Sequence, residues 1–194
     1  MPIPPPFKLP FKPRRIVLFA GHVVDAPDRE EARLTPAMAK AAVRPIEDAL
    51  TALALGPSDF AITQGAAGGD IVFGELCLAR GVPLQLLLPL PEEEFIAASI
   101  APSIDAAEWE GRYREIAARS WRPPCVMPQA PGDVFERCNV WMIATAKASG
   151  ARDIDLVCLW DGTDGAGPGG TAHMVAKVKA IRGGVSWIDT RTLA

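Results

Sequence analysis

The stretch from Leu156 to Val175 constrains this chain most. Leu156-Val-Cys-Leu-Trp160 is a continuous apolar run, as in a strand buried on both faces. Asp161 to Gly169 is then dense in Gly, Asp and Pro, a loop composition. From Gly170 onward, Met174, Val175, Val178 and Ile181 recur at helical spacing. A helix that starts after such a loop presents unpaired N–H groups and a partial positive charge. Glycines let an anion approach that backbone. Gly169, Gly170 and the Thr171 hydroxyl are therefore expected to hold a phosphate; the plainer alternative is a tight helix start.

The same alternation runs through the rest of the chain. Strands are expected at Arg15 to Ala20, Asp59 to Thr63, Pro83 to Leu88, Asp155 to Trp160 and Val185 to Ile188. A helix from Pro36 to about Leu55, with Thr35 as N-cap, follows the first strand. A second glycine-rich turn, Gln64-Gly-Ala-Ala-Gly-Gly-Asp70, opens the next helix. Strands alternating with helices give a parallel sheet. The expected fold is α/β, a doubly wound parallel sheet of about five strands in the order 3-2-1-4-5.

Between the third and fourth strands the reading is helical: Glu92 to Ile100, Glu108 to Arg119 and Val134 to Ser149, with a Pro-rich loop at 120–133. No strand signal occurs there. This insertion (92–149) is expected to cap the sheet or form a lid. Trp109, Tyr113 and Trp141 read as core, or as a platform for a base. Residues 1–14 form a Pro-rich arm that would pack on a partner subunit or stay mobile. The single domain spans 15–190.

Composition excludes some functions. A net charge of −3 gives no long-range attraction for nucleic acid or anionic lipid. Four scattered cysteines without C-x-x-C spacing argue against zinc, and no metal or cofactor is expected. The absence of a signal peptide and of a membrane-length apolar run gives the expectation of a soluble, cytoplasmic protein.

In an open sheet, ligands bind beyond the strand carboxyl ends at the point where strand order reverses. Gly21-His22, Gln64 to Asp70 and Asp161 to Thr171 all leave such ends. Their motifs carry a resemblance. Gly65-Ala-Ala-Gly-Gly-Asp70 resembles the G-x-A-x-G-x-D turn of the superfamily of the DNA-processing protein DprA/Smf and the LOG-type phosphoribohydrolases. Gly167-Pro-Gly-Gly-Thr171 is similar to their phosphate loop. With Phe19-Ala-Gly-His22, Phe135 to Met142 and Leu159-Trp-Asp-Gly162, the chain looks like a bacterial SLOG-like module from about residue 15 to 190. The resemblance implies a Rossmann-like domain that binds a nucleotide or nucleotide-derived ligand, often in signalling. LOG-type enzymes carry a glutamate shortly after the threonine; here Ala172, His173, Met174 and Val175 follow instead.

Roles remain open at several positions. Gly21, Gly65, Gly68 and Gly69 would let backbone pass close to the ligand. Asp70 would cap the next helix or accept ribose hydroxyls. His22 would donate to phosphate, act as acid or base, or satisfy a loop. Arg137 and Asn139 would hold phosphate and base, or link the helix to the sheet. His173 would reach the ligand or pack. Two functions follow: a sensor for a nucleotide-type small molecule, acting through a homo-oligomer or a signalling partner protein, and a nucleotide-cleaving hydrolase using Asp161, Asp164 or His22.

Overall fold

The computed structural model describes residues 4–163 and 169–193. Strand β1 (Arg15–Gly21) sits at its centre, and its residues alternate between two separate cores. Val17 and Phe19 enter one core; Ile16 and Leu18 enter the other. A strand buried on both sides is mainly apolar, which is why β1, β2 (Phe60–Thr63), β3 (Leu84–Leu88) and β5 (Asp153–Trp160) carry apolar runs, with Gln85 and Thr63 as buried polar exceptions. With β4 (Cys125–Val126) and β6 (Gly184–Asp189) they form one parallel sheet in the order β4-β3-β2-β1-β5-β6.

The sheet has six strands, not five. The five expected strands hold their order, and β4 adds an edge beside β3. It consists of two residues between prolines, too short for any periodicity to show. The helix expected at 36–55 is two: α1 (Pro36–Ala41) and α2 (Val43–Ala52). Pro45 has no N–H to give the Ala41 carbonyl, so the chain turns at Ala42. Thr35 caps α1, its hydroxyl accepting the Met38 N–H at 3.2 Å.

Helices α3 (Gly69–Ala79), α4 (Glu92–Ser99) and α5 (Ala106–Arg119) join α2 on one face. Helices α6 (Val134–Ala148) and α7 (Thr171–Ala180) cover the other. Segment 92–149 thus supplies a layer to each face. Trp109, Tyr113 and Trp141 are buried in those layers and offer no stacking platform. The arm lies on this chain's own fold: Trp141 Nε1 of α6 donates to the Pro5 carbonyl at 2.9 Å, the Phe7 N–H donates to Thr145 Oγ1 at 3.0 Å, and Phe11 packs edge-on against Phe60. Phe7 and Leu9 pack on the α6–α7 core.

Candidate functional site

The strand order reverses between β1 and β5, and a cleft of about 440 Å³ opens there. Its walls come from the end of β1 and the loop after it (Gly21, His22, Asp25, Arg29, Arg33), the turn after β2 and the start of α3 (Gln64, Ala66, Asp70), and the end of α4 and the turn after it (Ser99, Ser103). The start of α6 (Asp133, Phe135, Asn139) and Gly169, Gly170 and Thr171 close it. The three loops expected to converge do converge.

The α7 N-terminus faces this space. The Gly170 carbonyl already takes the His173 and Met174 N–H groups, while the Thr171 and Ala172 N–H groups precede the first helical acceptor. Thr171 is only 6% exposed, lines the cleft and hydrogen-bonds through its hydroxyl to no described residue. Gly169, at φ +119°, passes so close to α6 that a Cβ would stand 2.7 Å from the Glu136 nitrogen. Asn139 fixes it there. Its Nδ2 donates to the Gly169 carbonyl at 2.7 Å, and its Oδ1 accepts from Gln64 Nε2 at 3.0 Å. Asn139 is thus a cleft wall and a link between two loops at once.

The other expected residues fall elsewhere. A Cβ on Gly65 would meet the Tyr113 ring, one on Gly68 would meet Leu34, and one on Gly69 would meet Phe19 at 2.7 Å. These glycines allow close packing of the turn on its own chain, and none of them lines the cleft. Arg137 is buried, and its guanidinium donates to the Ala130 and Pro128 carbonyls at 2.8 and 2.9 Å. It clamps the 128–130 loop instead of a phosphate. His173 turns away from the cleft toward Glu136, with Nε2 3.6 Å from Oε1. Asp164 lies outside the described residues.

Asp161 stands behind the cleft wall. Its Oδ1 accepts the Thr163 N–H and hydroxyl at 2.9 and 2.8 Å, and its Oδ2 is 3.2 Å from His22 Nε2. Burial pushes this carboxyl up, but the Thr163 bonds, His22 and Arg33 outweigh it and hold the group at about 2. A carboxyl that acidic is a poor general base. His22 lines the cleft, and its pKa is lowered, first by burial and then by Arg33. It is therefore neutral near pH 7, with Nε2 within 3.2 Å of both the Asp161 N–H and Oδ2.

Asp70 is the carboxyl with a shifted proton affinity in the cleft. Burial raises it from 3.8 to about 6, against the lowering effect of the Thr63 hydroxyl and the Gly65 N–H. It sits in the first turn of α3, whose N-cap is Gly68, so it ties the turn together without capping the helix.

Sequence reasoning passed over Asp25, Arg29 and Arg33. Buried Asp25 accepts the Arg33 and Leu34 N–H groups, each at 2.9 Å, through Oδ2, and pairs with Arg29 Nε at 3.0 Å through Oδ1. One carboxylate thus folds the loop and aims both arginines. The available signal was an aspartate four and eight residues before arginines, in a loop with no periodicity.

Among the described residues, no helix is long and apolar enough to cross a membrane, and no three metal-ligating side chains cluster. Fold and cleft together define the class: a Rossmann-like, doubly wound α/β domain with an open cleft at its topological switch point. No protein-family model matches the sequence, and no curated protein matches it. Two solved structures are weakly similar. One is an uncharacterized protein, ATU2773, from Agrobacterium tumefaciens C58, at 13% identity over 96% of this chain and 67% of that one, TM-score 0.23. The other is Streptococcus suis SuiB bound to S-adenosylmethionine, at 7% identity over 90% and 47%, TM-score 0.21. Neither likeness bears on function at these scores.

Proposed function

We propose that this domain binds a nucleotide or nucleotide-derived ligand, with a phosphate on the α7 N-terminus, and serves as a sensor in signalling. One observation carries the reading. The N–H groups that open α7, which meet no side-chain cap among the described residues, and the Thr171 hydroxyl face a cleft at the switch point. The SLOG-like resemblance supports it. The test is thermal unfolding against AMP, ATP, NAD, ADP-ribose, cyclic nucleotides and inorganic phosphate. A ligand at about 100 times its Kd adds about 2.7 kcal/mol, several degrees in a domain of this size. A flat response from every phosphate-bearing compound refutes the reading.

A second reading, hydrolysis of the N-glycosidic bond of the bound nucleotide, is favoured by one feature. Asp70, held at about 6 and lining the cleft, is the carboxyl poised for proton transfer near neutral pH. It takes the place of Asp161 and His22 in that scheme. Release of free base by the wild type and none by Asp70→Asn would separate enzyme from sensor.

A further inference from the structure

The charges around the cleft are unequally committed. Its acids are spent within the protein. Asp25 takes two N–H groups and Arg29; Asp70 takes the Thr63 hydroxyl and the Gly65 N–H; Asp133 caps α6 through the Glu136 N–H at 2.7 Å. Asp161, behind the wall, is held by Thr163. The Arg33 donors are not spent. Arg33 lines the cleft, yet its guanidinium hydrogen-bonds to no described residue. Its nearest acid is Asp161, with Nε 3.6 Å from Oδ2, beyond hydrogen-bond range. The root of this arginine is fixed, because its own N–H is tied to Asp25. Its Nη2 is buried without a partner, and a buried donor left unpaired is costly.

Arg33 and Thr171 stand on opposite sides of the switch point. Arg33 belongs to the loop leaving β1, and Thr171 is the first residue of α7, the helix that follows β5. These strands are hydrogen-bonded neighbours, paired up to Gly21 and Leu159. Neighbouring strands lie about 4.8 Å apart. A single phosphate on the α7 N-terminus would use the donors on one side of the cleft, and a second phosphate would be needed to use the Arg33 guanidinium on the other.

We propose that the cleft selects a diphosphate-bearing ligand, a nucleoside diphosphate or a conjugate of one, with one phosphate on the α7 N-terminus and Thr171 and the second on the Arg33 guanidinium. This rests on the nucleotide reading above and narrows it. Asp25 is then a positioning residue for Arg33, and Arg33 discriminates diphosphate from monophosphate.

Calorimetric titration of the whole chain with AMP, ADP, inorganic phosphate and inorganic pyrophosphate tests this. In wild type, ADP binds roughly tenfold more tightly than AMP, and pyrophosphate more tightly than phosphate by a similar factor, as expected for one charge-assisted bidentate contact. In Arg33→Gln both increments vanish while AMP and phosphate bind as before. Arg44→Gln, a change at an exposed arginine on α2 away from the cleft, keeps both increments. Equal wild-type affinities for AMP and ADP, or an Arg33→Gln loss shared equally by both, overturn the proposal and leave the nucleotide reading standing. Silence from all four compounds overturns both. If Arg33→Gln does not fold, Arg33→Lys decides, because it keeps the charge without the fork and should retain only part of each increment.

Discussion

Asp70→Asn separates ionisation of the cleft carboxyl from everything else that titrates. In the native protein this carboxyl is raised to about 6, chiefly by burial, from 3.8. The native state therefore prefers it protonated. Its contribution to stability is fully present below about pH 4 and is lost as the pH climbs through 6. The span between those values corresponds to about 3 kcal/mol. Asparagine keeps the shape and the acceptor for the Thr63 hydroxyl but cannot ionise. The stability of Asp70→Asn minus that of wild type should thus grow by about 3 kcal/mol between pH 4 and 7, then level off. Urea unfolding at half-unit pH steps reads this as midpoints that separate by on the order of 1 to 2 M. Taking the difference matters, because His22, whose pKa is lowered, opposes the trend in the same window: its burial adds stability as pH rises toward 6.5. Asp161, held at about 2, loses its contribution only below that window. Parallel curves for the two proteins from pH 4 to 7 would refute the reasoning. They would mean that the Asp70 carboxyl is hydrated in the native state and ionises as in the unfolded chain.

Two further perturbations probe how the cleft is held. Gly169→Ala places a Cβ 2.7 Å from the Glu136 nitrogen and 2.9 Å from Asp133 Oδ1 at φ +119°. It should cost about 1 to 3 kcal/mol in chemical unfolding and weaken phosphate binding together; an unchanged midpoint refutes the close approach. Phe7→Ala removes the anchor of the arm on the α6–α7 core. It should lower stability by at least about 1 kcal/mol and speed tryptic cleavage after Lys8, and equal cleavage rates would show that the arm is not held there.

The order of the sheet could be read from the chain because strands buried on both faces are mainly apolar, and Leu156 to Leu159 or Leu86 to Leu88 can be little else. β4 could not, because pairing with β3 stabilises two residues that carry no pattern of their own. The break at Ala42 did have a signal, Pro45, which the apolar stripe through Ile46 and Leu53 outweighed. The site divides in the same way. Glycines announce that backbone comes close to something, but not to what: at Gly169 it is a helix start beside the cleft, at Gly69 the ring of Phe19. Arg137 carries a charge that suits a phosphate equally well, until its two carbonyl partners are seen.

Arg33 shows why the rest of the site had to wait for the fold. A net charge of −3 gives no hint of an anion site. Yet the field in a cleft depends on which groups are already paired, because a carboxylate holding two N–H donors has spent its attraction locally. Asp25 holds two N–H donors, Asp70 a hydroxyl and an N–H, and Asp133 one N–H, and the first of them also fixes the arginine whose Nη2 has no hydrogen-bond partner among the described residues. An acidic chain thereby presents donors where β1 and β5 part. That selectivity comes from hydrogen-bond partners across loops, and a linear sequence does not display those.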